Sequence, residues 1–117
     1  MSVLKKVREE YVIWHANRIK FPKFDSGTTF RTKVIFSGRV QKVGFRLEIS
    51  CLAKRMKLTG WVKNLEDGSV EAELQGEESK IYFLVKCMQS LKRASVKNVT
   101  MINVPIIKDE NNFTIVR

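Results

Sequence analysis

The chain has 117 residues, a length typical of one domain and sufficient to bury a single hydrophobic core. Its apolar fraction of 44% excludes a disordered chain, and no stretch approaches the roughly 20 apolar residues that cross a bilayer. The net charge of +10 is distributed along the sequence, which favours a solvated basic surface over a nucleic-acid site.

Residues 1–30 form a basic N-terminal extension. Four of its apolar residues recur at steps of three and four and share one helical face: Leu4, Val7, Tyr11 and Trp14. Residues 21–30 combine Pro, Gly, Ser and Thr and predict a connector. Such a helix can lie on the body of the protein, on a second copy or on a membrane surface. We expect it to pack on the body, in a monomer or in a weak homodimer formed through the extension.

The residues that often mark a compartment or a reactive site are few. Glu9 and Glu10 interrupt the extension, which lacks a continuous apolar segment, so we expect no secretory signal and a cytoplasmic location. A disulfide between Cys51 and Cys87 is possible but not required, and two buried thiols in a reducing cytosol are favoured. His15, the only histidine, is expected to pack or cap a helix.

From residue 31 the sequence becomes regular. Short β-branched and aromatic runs predict strands at residues 32–38, 60–65, 68–76 and 96–106, with a short last strand at 113–117. Two apolar stripes predict amphipathic helices: Phe45, Ile49, Leu52, Ala53 and Met56, then Ile81, Leu84, Val85, Met88 and Leu91. The order β-α-β-β-α-β plus a short last strand predicts an α+β, ferredoxin-like split βαβ sandwich. Two helices then cover one face of an antiparallel sheet.

The third predicted strand is acidic on one side. Val70, Ala72 and Leu74 alternate with Glu71 and Glu73, so one face is apolar and the other is expected to be solvated or at least covered by polar groups. RNA-recognition domains share this order of elements, but their third strand carries stacking aromatic residues that this strand lacks. We therefore interpret the two glutamates as surface residues and disfavour an RNA-binding function.

A loop between the first strand and the first sheet-packed helix concentrates positive charge. The stretch "SGRVQKVGFR" places Arg39, Lys42 and Arg46 within eight residues. A loop that enters a helix offers unpaired backbone N–H groups and the positive end of the helix dipole. Arg46 stands at the predicted helix start, where its planar guanidinium can hold two phosphate oxygens. The pattern indicates a phosphate-binding site.

The residues of this loop and of the next strand resemble the acylphosphatase family. "GRVQKVGFR" followed by "GWVKNLEDGSVEAELQG" matches the family pattern Gly-x-Val-Gln-Gly-Val-x-Phe-Arg and then Gly-x-Val-x-Asn. The resemblance covers residues 31–117 and leaves residues 1–30 unmatched. It implies hydrolysis of small acyl phosphates to carboxylate and inorganic phosphate, by in-line attack of water and without metal or cofactor.

The resemblance also implies roles for individual residues. Arg46 corresponds to the catalytic, substrate-binding arginine, and Asn64 to the asparagine that orients the attacking water. The phosphate-binding cradle corresponds to five backbone positions: Gln41, Lys42, Val43, Gly44 and Phe45. One arginine, one asparagine and a backbone cradle are chemically sufficient for this hydrolysis. The leaving carboxylate needs no general acid, because its conjugate acid has a pKa of about 4.3.

Lys42 departs from the family pattern, which has glycine at this position. If the position has a positive φ, a side chain costs roughly 1–2 kcal/mol and can misdirect the loop. We expect an active but altered enzyme. The alternative is a weakened or inactive acylphosphatase-like module that binds anions, such as a nucleic acid or a partner protein. The intact pair of Arg46 and Asn64 favours the enzyme, since a simple binding module has no need to orient water.

Overall fold

The computed structural model describes residues 3–117. The elements follow the predicted order, preceded by one helix from the extension. They are α1 (Val3–Arg18), β1 (Thr29–Arg39), α2 (Phe45–Arg55), β2 (Thr59–Asn64), β3 (Val70–Glu77), α3 (Glu78–Gln89), β4 (Ser95–Val104) and β5 (Phe113–Val116). Among these described residues, no helix combines the length and the hydropathy needed to span a membrane.

The five strands form one sheet in the order β4-β1-β3-β2-β5. The four long strands pair antiparallel, as the ferredoxin-like prediction requires. The short β5 differs, because it adds to β2 in parallel and pairs Val116 with Lys63. This edge strand brings the last residues of the chain beside the end of β2.

The two sheet-packed helices cover one face of the sheet and bury both predicted stripes. All ten stripe residues are buried in one contiguous core with the apolar face of β3. Phe36 of β1 and Phe45 of α2 meet edge to face, with ring centroids 5.1 Å apart. Since Phe45 is the first residue of α2, this contact fixes where the helix begins above the sheet.

The opposite face of the sheet is held by ion pairs. Arg31 is only 1% exposed, and its Nε donates to Glu73 Oε1 at 2.6 Å while its Nη1 donates to Glu110 Oε1 at 2.7 Å. Glu71 lies between Lys33 and Lys63. Glu71 and Glu73 are therefore not freely solvated, and this face is instead covered by polar groups, the other state that the alternation allows. Cations on the adjacent strands β1 and β2 partly bury both side chains. The residue pattern of one strand does not reveal such cross-strand partners.

The helix α1 packs on the body of the protein through a different face from the one predicted. Val12 and Ala16 are fully buried. The predicted stripe faces solvent, with side chains that are about half exposed or more: Leu4, Val7, Tyr11 and Trp14. The buried face lies roughly one position, or 100°, further round the helix. This face carries small and polar residues because it packs on Gly44 and hydrogen-bonds to the carbonyl of Lys42 and to Glu48. A weak homodimer through the extension stays a prediction.

Residues 19–28, which join α1 to β1 and include most of the predicted connector, help to hold the end of α1 in place. Arg55 at the end of α2 donates from Nη1 to the carbonyl oxygens of Ala16 and Ile19, at 2.7 and 2.9 Å. Its guanidinium also lies 3.9 Å from the ring centroid of Phe21. Phe21 in turn packs edge to face on Phe83 of α3. Arg55 thereby supplies donors to two carbonyl groups at and just beyond the C-terminal end of α1, where the helix has no donors of its own.

Candidate active site

The loop from Val40 to Gly44 joins β1 to α2, and two of its residues have left-handed backbone conformation. Lys42 has φ 63° and Gly44 has φ 75°. Gly44 is the N-cap of α2, and a Cβ atom at this position would lie 2.5 Å from Cγ2 of Val12. The glycine therefore permits both the backbone turn and the close approach of α1.

Gln41 ties this loop to the turn between β2 and β3. Its Nε2 donates to the carbonyl oxygens of Leu65 and Ser69, at 2.8 and 2.9 Å. The turn itself is closed by Asp67, whose Oδ1 accepts from the backbone N–H of Ser69 at 2.9 Å. These bonds join two segments that are distant in sequence. The start of α2 is thereby brought beside the end of β2, where Asn64 lies.

A pocket of about 180 Å³ opens where the loop, β2, β5 and α1 meet. Arg46 and Asn64 both line it, so the two residues predicted to act together share one cavity. Of the predicted cradle, Lys42, Gly44 and Phe45 contribute to the lining, along with residues of the extension. Gln41 and Val43 do not line the pocket. The side chain of Gln41 anchors the loop, and the carbonyl of Val43 accepts a hydrogen bond from Arg93.

Arg46 is a partly buried cation without a carboxylate partner among residues 3–117. Its Nη1 donates to the carbonyl oxygen of Val116 at 3.5 Å. Burial, followed by the charge of Arg117, lowers the pKa of Arg46. The guanidinium nonetheless stays protonated at neutral pH, because arginine does not lose its proton in proteins. The result is concentrated positive charge that a bound dianion would stabilise.

Asn64 is the last residue of β2, and its side chain is incompletely paired. The Oδ1 atom is buried, and no described residue donates a hydrogen bond to it. Only the hydroxyl of Ser79 shares this state in the part of the chain that the structure describes. Buried polar atoms normally find a partner. Asn64 also lines the pocket, so its side-chain amide borders the space that a bound water or ligand would occupy.

The remaining charge around the pocket is predominantly positive. Of the described residues that line it, one is acidic, Glu9, and five are basic: Lys5, Arg8, Lys42, Arg46 and Arg117. A small concave site of one sign attracts ligands of the other sign. Two of the cations, Lys5 and Arg8, come from α1, which the sequence had not connected with the site. Their spacing with Val12 on one helical face was the available signal.

Comparison with known proteins shows what this chain is similar to. A profile of the acylphosphatase family matches residues 32–115. An acylphosphatase of Clostridium beijerinckii is 38% identical over 86 residues, which cover 73% of this chain and 96% of that protein. One from Geobacillus thermodenitrificans is 40% identical over 86 residues, covering 73% of this chain and 92% of the relative. The chain belongs to the acylphosphatase family. It is therefore a hydrolase of acyl phosphates.

The three-dimensional comparison agrees with this membership. The crystal structure of the acylphosphatase from Bacillus subtilis superposes with a TM-score of 0.70 at 31% identity, covering 77% of this chain and all of that one. The family match begins at Thr32, within β1, so the helix α1 and the connector lie outside it. The pocket of this acylphosphatase family member thus has a wall that comes from outside the matched segment.

Neither His15 nor the two cysteines line this pocket. His15 hydrogen-bonds through Nδ1 to Glu48 Oε2 at 2.8 Å, so it packs, as predicted. Cys51 and Cys87 are free and partly buried. Burial, with the nearby Glu48 carboxylate, raises the pKa of both thiols and keeps them protonated. This is the opposite of what a nucleophilic cysteine requires.

Lys42 occupies the position of the family glycine, and its φ of 63° is the conformation that glycine adopts readily. We expect Lys42→Gly to raise the free energy of unfolding by about 0.5–1 kcal/mol, since relief of the strain exceeds the added chain entropy. We expect its kcat to change by less than about a hundredfold, or 2.7 kcal/mol. Chemical denaturation and initial rates with benzoyl phosphate measure the two quantities.

Lys42→Ala is the matched control for this prediction, because it removes the ammonium group and retains the strained φ. If charge alone matters, the alanine and glycine variants will have equal rates. A gain in kcat of about a hundredfold or more in Lys42→Gly would show that the lysine misdirects the cradle.

Proposed function

We propose that Arg46 and Asn64 carry out the hydrolysis of a small acyl phosphate held by the backbone of residues 41–45. Arg46 binds the phosphoryl oxygens, and Asn64 orients the water that attacks phosphorus opposite the leaving carboxylate. The products are the carboxylate and inorganic phosphate. The observation that carries this proposal is that Asn64, whose buried Oδ1 is unpaired within residues 3–117, lines the same pocket as Arg46.

An unpaired buried acceptor is costly unless function retains it. Leaving a buried polar atom without a partner costs about 1–3 kcal/mol. An amide oxygen can accept one O–H of the attacking water and so aim a lone pair of that water at phosphorus. Holding the water in this position removes much of the entropic cost of bringing it to the reaction.

The positive end of the site is suited to a phosphoryl group. Arg46 is the second residue of α2, so its guanidinium lies near the N–H groups of the first helical turn, which have no acceptor within the helix. Together they can neutralise the three equatorial oxygens whose charge the transition state redistributes. Arg46 placed there opposes the helix dipole in the absence of ligand. A bound dianion reverses that penalty.

The chemistry balances without a general acid. The water oxygen forms the new bond to phosphorus as the bond from phosphorus to the acyl oxygen breaks. The electron pair of that bond leaves on the carboxylate, which is stable without a proton at neutral pH. The proton lost by the attacking water passes to an oxygen of the phosphate product. Arginine, amide donors and one asparagine therefore suffice.

This mechanism predicts a strong dependence on the leaving group. We expect benzoyl phosphate to be hydrolysed readily and glycerol phosphate at a rate lower by more than about three orders of magnitude. An alkoxide needs the proton that a general acid supplies, a contribution of about 10²–10⁴-fold that this site lacks. Release of inorganic phosphate from each substrate, at equal concentration and neutral pH, measures the difference.

Inhibition of benzoyl phosphate hydrolysis by glycerol phosphate is the control that confirms binding of both phosphoryl groups. Comparable rates for the two substrates would contradict the mechanism and require an acid that the proposal does not contain. No hydrolysis of benzoyl phosphate, with binding of inorganic phosphate retained, would instead favour the anion-binding module.

A further inference from the structure

We propose that Arg93 is a positioning residue, which orients the phosphate-binding amides by holding carbonyl groups of the loop from behind, and that Arg8, which also lines the pocket, assists it by binding the carbonyl group of Lys42. This inference rests on the proposed function of the loop. It concerns two side chains outside the motif, and Arg8 lies outside the segment that matches the family. It gives α1 a role in the reaction and not only in packing.

Three consecutive carbonyl groups of the loop accept hydrogen bonds from these arginines. Arg8 Nη1 donates to the carbonyl oxygen of Lys42 at 3.2 Å. Arg93 Nε donates to the carbonyl oxygen of Val43 at 2.6 Å, and its Nη2 approaches that of Gly44 at 3.4 Å. Both guanidinium groups therefore bind the carbonyl side of the loop, with Arg93 taking two successive carbonyls.

The orientation of these carbonyls sets the direction of the amides. In a trans peptide the C=O of one residue and the N–H of the next point in opposite directions. No cis peptide bond occurs among residues 3–117. Holding the carbonyls of positions 42, 43 and 44 on the arginine side therefore turns the N–H groups of Val43, Gly44 and Phe45 to the other side. That is the arrangement an anion cradle needs.

The loop needs such support because part of its backbone has an unfavourable conformation. Lys42 and Gly44 are both in the left-handed region, and one of them carries a side chain. A peptide plane in such a loop can rotate unless its polar groups are held. The guanidinium groups also offset the partial negative charge of the three carbonyls, which would otherwise oppose a bound phosphate.

Arg93 is itself held in a fixed position by buried and aromatic groups. Its Nη2 donates to Glu48 Oε1 at 2.6 Å, and Glu48 is fully buried. The other oxygen of Glu48 is bound to His15 Nδ1 at 2.8 Å. The guanidinium also lies 5.8 Å from the ring centroid of Tyr11. His15 and Tyr11 of α1 thus help to fix the position of Arg93, and Arg8 of the same helix binds the loop directly through the carbonyl of Lys42.

The decisive experiment is kinetic analysis of Arg93→Gln with benzoyl phosphate. Arg93 does not line the pocket, so it has no direct contact with a ligand bound there. We expect kcat to fall by at least about tenfold, since small displacements of aligned groups are costly in rate. Inhibition by inorganic phosphate should weaken by a similar factor. The matched control is Lys92→Gln, which removes the same charge from the adjacent, exposed position and should leave both quantities unchanged.

A second variant separates positioning from stability. Arg93→Gln leaves Glu48 with one partner fewer, so we expect the unfolding midpoint to fall. The double variant Glu48→Gln/Arg93→Gln also removes the buried carboxylate, which keeps only His15 as a partner once Arg93 is replaced, and should recover stability. If Arg93 positions the loop, kcat and phosphate inhibition stay impaired in the double variant. If activity recovers together with stability, or if Arg93→Gln matches Lys92→Gln, the inference is wrong.

Arg8→Gln tests the contribution of α1 directly, with Arg18→Gln as its control on the same helix. Arg18 stacks on Trp14 at 4.7 Å and does not line the pocket. Because Arg8 also lines the pocket, weaker phosphate inhibition in Arg8→Gln does not separate positioning from direct binding of the anion. The result expected of positioning is a lower kcat at saturating benzoyl phosphate in Arg8→Gln alone. Normal kinetics in both Arg8→Gln and Arg93→Gln, with Arg46→Ala inactive, would overturn this inference and leave the proposed function intact. Full activity of Arg46→Ala would instead overturn the proposed function.

Discussion

Replacing Arg46 by alanine is expected to lower kcat/KM for benzoyl phosphate by at least about a thousandfold, the usual value of an arginine that stabilises a transferring phosphoryl group. Arg46 reaches the pocket from the first turn of α2, and no carboxylate among the described residues neutralises it. The free energy of unfolding should change little, because the hydrogen bond that the side chain makes to Val116 is long, at 3.5 Å. Steady-state kinetics and chemical denaturation measure the two effects.

Two further variants make this result specific. Arg46→Lys keeps the charge but loses the planar pair of donors, so we expect an intermediate loss dominated by kcat. Lys54→Ala removes one positive charge from an exposed position of the same helix. Screened charges of this kind should alter kcat/KM by no more than about twofold. Full activity of Arg46→Ala would exclude the proposed site.

Replacing Asn64 by alanine is expected to lower kcat by about a hundredfold or more, because the attacking water loses the group that orients it. Stability should respond in the opposite sense. The Oδ1 atom is buried without a partner among residues 3–117, so its removal should leave the free energy of unfolding unchanged or raise it by up to ~1 kcal/mol. Opposite changes in activity and stability are typical of residues kept for function.

The same measurements on related variants test this reasoning. Asn98→Ala, at an exposed position of β4, controls for the loss of an amide and should be neutral. Asn64→Asp keeps the shape and the acceptor but adds a negative charge beside the phosphate, so KM should rise as well. A loss of stability that parallels the loss of activity in Asn64→Ala would assign the residue a structural role.

The elements of the sheet-packed domain could be predicted because their signals are local. Each apolar stripe repeats at helical spacing within one segment, and both stripes are buried as expected. The alternation along β3 likewise placed Val70, Ala72 and Leu74 in the core. What alternation could not supply was the state of the opposite face. Arg31 is buried there by Glu73 and by Glu110, partners on other segments of the chain.

The extension shows the limit of periodicity more clearly. Its most apolar stripe was the natural candidate for the buried face, yet Trp14 is 55% exposed and Val12 is fully buried. Periodicity identifies a face but cannot tell what that face will meet. The surface that α1 meets includes Gly44, the carbonyl of Lys42 and the buried carboxylate of Glu48. A small apolar residue and two polar side chains fit that surface better than a row of large ones.

By itself, the sequence determined the order of the elements and the composition of the core, because these depend on the spacing of residues within short segments. The loop was predicted as a phosphate site from its charges, and the pairing of Arg46 with Asn64 was implied by the resemblance to the acylphosphatase pattern. Only the tertiary structure decided that Asn64 and Arg46 share one pocket, and that Glu48 can be buried because Arg93 and His15 converge on it. A buried charge is stable only with partners, and those partners lie 33 and 45 positions away. No pattern within a short segment of sequence predicts contacts between residues so far apart in the chain.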